Sequence, residues 1–156
     1  MTETLSESTQ RGDLDSVLGF HIRLAHGAVY RHFSETFSDL ELTQKQVSVL
    51  WLVAERPGLI QADLGQQLQM DRATTTEIIN RLAARGLIRR EPSLEDRRKS
   101  SLHLEPLGQQ VLAEARTAIL AHEAWLKGRF SQSEIETLIG LLGRIHSAPD
   151  ESTDKD

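Results

Sequence analysis

A chain of 156 residues has the length of one domain and can bury one core. Its formal net charge is −5, and with no cysteine it can hold no disulfide framework, no thiolate metal site and no thiol redox switch. No apolar run reaches membrane-spanning length and the N-terminal TETLSESTQRGD lacks the basic and apolar regions of a signal peptide, so a cytoplasmic protein without a membrane partner is expected.

Residues 1 to about 12 are polar and read as a disordered tail. From Asp13 to about Asp39 one long helix is expected, with Leu14, Leu18, Ile22, Ala25, Val29, Phe33 and Phe37 on one stripe and Val17, Phe20, Leu24 and Ala28 on a second beside it. So wide an apolar arc touches two partners, its own domain and a second subunit. Thr43 and Gln46 form a capping box that opens the next helix, whose expected buried face is Val47, Leu50, Trp51 and Ala54. Arg56-Pro57-Gly58 stops it, and Leu59 and Ile60 supply a short strand.

Gln61 to Leu104 organises the chain. A short helix carries Leu64 and Leu68 four apart, and Asp71 caps a second helix starting at Arg72. The buried stripe of that second helix is Thr75, Ile78, Ile79 and Leu82, and Gly86 ends it in the left-handed conformation common at helix C-termini. Its exposed set is Arg72, Thr74, Thr76, Asn80, Arg81 and Arg85, with the Thr75 hydroxyl in the first turn where it can reach a phosphate. Leu87 to Glu91 and Ser100 to Leu104 read as a hairpin around the loop Glu95-Asp96-Arg97-Arg98-Lys99, whose cations suit a phosphate backbone or a minor groove. The order is a winged helix-turn-helix within a mostly α fold.

Charge follows the same division. Residues 71 to 100 hold eight Lys/Arg against five acids, a local +3, which leaves −8 for the rest of the chain. An acidic body with a basic head concentrates counterion release on one surface.

Pro106 starts a long helix to about Phe130, with Leu107, Val111, Ala115, Ala118, His122 and Trp125 near heptad spacing. Ser131 and Glu134 form another capping box, followed by a seam of Ile135, Leu138, Leu142 and Ile145. The acidic stretch 148–156 reads as a second tail. A single domain over 13–147 is expected, with a reading head over about 43–104 and dimerisation helices over about 13–39 and 106–147. A two-fold homodimer sets two recognition helices about 34–36 Å apart, on an imperfectly palindromic operator in double-stranded DNA.

The segment GLIRREPSLEDRRKSSLHLEPLG resembles the MarR family of bacterial transcription regulators, through Gly-Leu-Ile, Asp-x-Arg in the wing, and Leu, two residues, Leu-Gly. The resemblance implies that Arg98 reaches the minor groove, that Asp96 orients the wing loop, and that Thr76 and Arg81 are the reading residues of the second helix. The sequence departs from the family at Glu105, where Thr is common and only the cap is affected. It departs again at Glu77, which either accepts from a cytosine amino group or, as we favour, turns back onto a neighbouring arginine. The DNA-binding set is Arg72, Thr74, Thr75, Thr76, Asn80, Arg81, Asp96, Arg97, Arg98 and Lys99. The absence of cysteine excludes the family's peroxide-sensing branch.

The resemblance also implies a small aromatic acid that weakens DNA binding, and LGFHIRLAHGAVYRHF is similar to members controlling aromatic-acid or nicotinate breakdown. Arg23, His26 and Tyr30 share one helical face beside the apolar stripe and suit such an acid, with Val47 and Trp51 as walls. Two rival readings remain, a metal-responsive regulator of the same fold and a winged-helix module for protein contacts. The first has six histidines in its favour, but His21 and His26 lie five apart, a poor spacing for two ligands on one face. The second requires an apolar exposed face on the recognition helix. No cofactor is expected, and with no nucleophile elbow, phosphate-cradling glycine loop or His-Glu-x-x-His motif, neither is catalysis.

Overall fold

The computed structural model describes residues 11–147, so both expected tails fall outside the described residues except for Arg11 and Gly12. Six helices and three short strands follow in order: α1 Leu18–Thr36, α2 Gln44–Glu55, β1 Leu59–Ile60, α3 Gln61–Gln67, α4 Arg72–Ala84, β2 Ile88–Pro92, β3 Ser100–Leu104, α5 Pro106–Lys127 and α6 Gln132–His146. The three strands form one antiparallel sheet in the order β1-β3-β2, so the two residues of β1 supply the expected third strand.

The first expected helix is shorter than its apolar pattern. A 3-10 turn over Gly12–Ser16 precedes it, Val17 is extended at its start, and a second 3-10 turn over Ser38–Leu40 follows it. Only its C-terminal end is buried, at Phe33 and Phe37, whose rings stack 4.0 Å apart. Leu14, Leu18 and Ile22 of the same stripe stay exposed.

Local capping signals are realised. Thr43 and Gln46, and Ser131 and Glu134, each exchange both capping-box bonds. Asp71 Oδ1 accepts from the Thr74 amide at 2.7 Å, a bond that also holds its carboxyl below the usual carboxylate range. At the other end of α4 the Leu87 amide donates to Leu82 O and the Gly86 amide to Ala83 O, a Schellman closure with Gly86 at φ +73°. Glu105 N-caps α5 without a side-chain cap bond, as its departure from Thr implies.

The core joins Phe33 and Phe37 to Val47, Val49, Leu50 and Val53 of α2, Leu64 of α3, Ile78, Ile79 and Leu82 of α4, Leu102 of β3, and Leu112 and Ala115 of α5. Enclosing a side chain such as Leu50 or Leu64 stabilises by roughly 1.5–3 kcal/mol. Two helical faces differ from expectation. On α2 the interior takes Val49 and Val53 where Trp51 and Ala54 were expected, because contacts with α4, α5 and β3 all select the valine side. On α5 Leu112 is buried and Leu107 is about half exposed, because Gly108 lies against the backbone of Leu87, where a Cβ would meet the carbonyl oxygen at 2.0 Å. That close approach docks α5 beside the end of the recognition helix.

Candidate nucleic-acid interface

Helix α4 presents its two faces cleanly. Thr75, Ile78, Ile79 and Leu82 are buried, as the spacing predicts. Arg72, Ala73, Thr76, Glu77, Asn80, Arg81 and Ala84 line an open trough along the opposite side. Five of these seven side chains carry hydrogen-bonding groups, where a protein-contact module requires large apolar ones.

Thr75 must be removed from the DNA-facing set. It is 3% exposed, its hydroxyl donates to Asp71 O at 2.8 Å, and a Cβ on Gly65 would stand 2.8 Å from its oxygen. Its role is to close α3 onto α4. Thr74 is half-buried, with its amide engaged by the cap.

The eight cations of the basic stretch divide by partner. Arg85 donates to Glu41 O and Leu40 O, fastening α4 to the turn before α2, and so leaves the outward set in which its position placed it. Arg89 pairs with Glu91 and Glu105, and Arg90 donates to Gln61 Oε1. Arg81 pairs with Glu77 at 2.8 Å, so Glu77 turns back onto a neighbouring arginine. Both side chains are more than three-fifths exposed, and such an i, i+4 pair stabilises by about 0.3–0.5 kcal/mol. Arg72, Arg97 and Lys99 form no ion pair among the described residues.

In the wing, Asp96 accepts from the backbone amide, Nε and Nη2 of Arg98 at 3.1, 3.1 and 3.2 Å, while the Lys99 amide donates to Asp96 O. Those bonds hold the Asp96 carboxyl below its usual range. Arg98 stays 90% exposed, so the aspartate aims the guanidinium without covering it. A cleft between α3, the start of α4 and the wing is lined by residues that include Arg72, Arg98 and Lys99 together with Ile60, Gly65 and Met70.

The expected effector residues are less gathered. Arg23 lies over the Phe20 ring at 5.4 Å, and His26 stacks on Tyr30 at 6.5 Å, all on α1. Val47 is 5% exposed and packs within the core. Trp51 reaches the surface, where the Arg116 guanidinium covers its ring at 4.9 Å. No aromatic or cation–π contact joins the α1 trio to Trp51 among the described residues.

The histidines form a pair that spacing could not reveal. His32 Nδ1 and His122 Nδ1 are 2.7 Å apart, with Trp125 stacked on His32 at 4.0 Å and Phe33 edge-on to His122. His122 is 6% exposed, and its ionisation is pushed below the ordinary range first by burial and then by His32. Among the described residues no group of three or more His, Asp or Glu side chains converges as a metal site.

A helix-turn-helix with a cationic hairpin beside a polar recognition face defines a winged-helix DNA-binding protein. The MarR family pattern matches residues 42–100. A Thauera aromatica protein assigned to transcriptional regulation of the hcr operon is 35% identical over 142 residues, covering 90% of this chain and 86% of its own. The repressor CouR bound to a 23-mer DNA duplex superposes with TM-score 0.81 at 30% identity, over 86% of this chain and 95% of its own. BpsR of Bordetella bronchiseptica, whose DNA binding is regulated by 6-hydroxynicotinic acid, gives TM-score 0.80 at 26% identity over 85% and 95%. The chain belongs to the MarR family of transcriptional regulators, which are not enzymes.

Proposed function

We propose that the chain is a repressor that binds a palindromic operator as a homodimer and is released by a small aromatic acid. Helix α4 enters the major groove with Arg72, Thr74, Thr76, Asn80 and Arg81, and the wing brings Arg97, Arg98 and Lys99 to the flanking backbone and minor groove. The observation that carries this reading is the edge of cations beside the trough of α4: Arg72, Arg97 and Lys99 without an ion pair among the described residues, and Arg98 aimed outward by Asp96. Residues about 43–104 form the reading head, and the helices before and after it form the dimer. In support of the dimer, α6 has no buried residue in the protomer while Leu138, Ile139, Leu141, Leu142 and Ile145 are exposed.

The effector is held by Arg23 through its carboxylate, with His26 and Tyr30 bonding ring substituents and Trp51 as a wall. The regulation of BpsR by 6-hydroxynicotinic acid supports that ligand class. Binding of a fluorescent duplex, selected by the protein from a randomised pool, is measured with and without a panel of aromatic carboxylates. One member should weaken binding by a coupling of about 1–3 kcal/mol, and Arg23→Ala should abolish that response while leaving effector-free affinity near wild type. A variant that still released DNA at the normal acid concentration would remove Arg23 from the site.

A further inference from the structure

Three elements meet at one side-chain amide. Arg90 Nε, on β2, donates to Gln61 Oε1 at 2.9 Å, and Gln61 Nε2, at the first residue of α3, donates to Thr76 Oγ1 on α4 at 3.2 Å. The base of the wing and the reading face of the recognition helix are therefore joined through one half-buried residue.

The direction of this relay follows from chemistry. An amide oxygen and nitrogen are interchangeable in shape, but a guanidinium only donates, so the atom facing Arg90 is the oxygen. The amino group must then face Thr76, and one lone pair of the Thr76 oxygen is occupied by an incoming hydrogen. Unlike Thr75, whose hydroxyl donates to the carbonyl four residues back, Thr76 has no acceptor for its own proton among the described residues. A hydroxyl that already accepts is also polarised toward donating.

We propose that Gln61 is a positioning residue that fixes the polarity of Thr76, so that Thr76 meets its base as a hydrogen-bond donor. This rests on the DNA-reading role proposed above. The base edge opposite Thr76 then offers an acceptor, such as guanine O6 or N7, adenine N7 or thymine O4, and a cytosine amino group, left only the second lone pair of the hydroxyl, is disfavoured there. The relay makes specificity depend on two residues, Gln61 and Arg90, that need not touch DNA.

The test uses duplexes selected from a randomised pool by the wild-type protein. The position whose preference disappears in Thr76→Ala is varied through all four base pairs. Wild type should rank cytosine last there, by roughly 2- to 10-fold for one hydrogen bond. Gln61→Glu replaces the amino group with a carboxylate oxygen that takes the Thr76 proton, so cytosine should move up the ranking. Gln61→Met and Arg90→Met leave the hydroxyl free to turn, or the amide free to flip, and should flatten it. Either change supports the proposal, and Arg90→Met serves if a Gln61 variant does not fold. An unchanged ranking overturns it, whether affinity is kept or falls uniformly, because Gln61 is then only a structural brace. A wild-type protein that selected no duplex would overturn the DNA-reading proposal itself, and this inference with it.

Discussion

Helices α4 and α6 are similar in length, 13 and 15 residues, and each carries an apolar stripe, yet α4 buries four residues in the protomer and α6 buries none. The side chains left outside differ in kind. On α4 they are Arg72, Thr76, Asn80 and Arg81, which ask for hydrogen-bonding partners. On α6 they include Ile139, Leu142 and Ile145, which ask for removal from water. The contrast teaches that the exposed remainder of an amphipathic helix points to the kind of partner it lacks: hydrogen-bonding for α4, where nucleic acid is proposed, and apolar for α6, where a second copy of the chain is proposed.

The largest expected effect tests the α6 half of this contrast. Leu142→Asp places an unpaired carboxylate in the proposed seam, at a cost of at least about 3 kcal/mol, a shift of roughly 100-fold or more in dimer dissociation. Sedimentation should show monomers, and operator binding should be lost with the dimer. A variant that stayed dimeric would place the seam elsewhere.

Within the α4 half, reading and anchoring should separate. Arg81→Ala, at a residue proposed to read a base edge, should cost about 1–3 kcal/mol on the preferred duplex and relax preference at one position. Arg98→Ala should weaken many sequences together, most where the minor groove is narrow, and it also leaves Asp96 without the partner that holds its charge. Identical behaviour across a panel of duplexes would erase the distinction between helix and wing.

A smaller effect lies between the two regions, where α1 meets α5 through His32 and His122. The folded protein disfavours protonated His122, whose reference value is 6.5, while Glu123 opposes the shift weakly. An unfolded chain takes up that proton at a pH where the folded one refuses it, so this group's contribution is complete above about 6.5 and falls as the pH drops below it. Denaturant unfolding at pH 7.5 and 5.5 should show wild type losing stability on acidification, and His122→Asn losing less. Equal losses would mean that the pair does not carry the pH dependence.

What the sequence disclosed was mostly local. The two capping boxes, the Schellman glycine at position 86 and the buried stripe of α4 rest on residues within a few positions of each other or on strict periodicity. Trp51 was misplaced because the valine side of α2 is chosen by helices and a strand distant in the chain. Thr75 was misread because its hydroxyl, available by spacing, is sealed by the approach of Gly65. Charge counting treated Arg85, Arg89 and Arg90 as equivalent to Arg72 and Lys99. Backbone carbonyls up to 45 positions away engage Arg85, Glu91 and Glu105 pair with Arg89, and Gln61 accepts from Arg90, while Arg72 and Lys99 form no ion pair among the described residues.

The most direct test of the DNA-reading claim is affinity for the selected duplex as a function of salt. Arg72, Arg97, Arg98 and Lys99, present twice in a dimer, suit contact with some six to ten phosphates, so affinity should fall about 10³–10⁵-fold between 50 and 200 mM salt. A flat response over that range would contradict the account, because a face built to meet the phosphate backbone must release counterions when it binds.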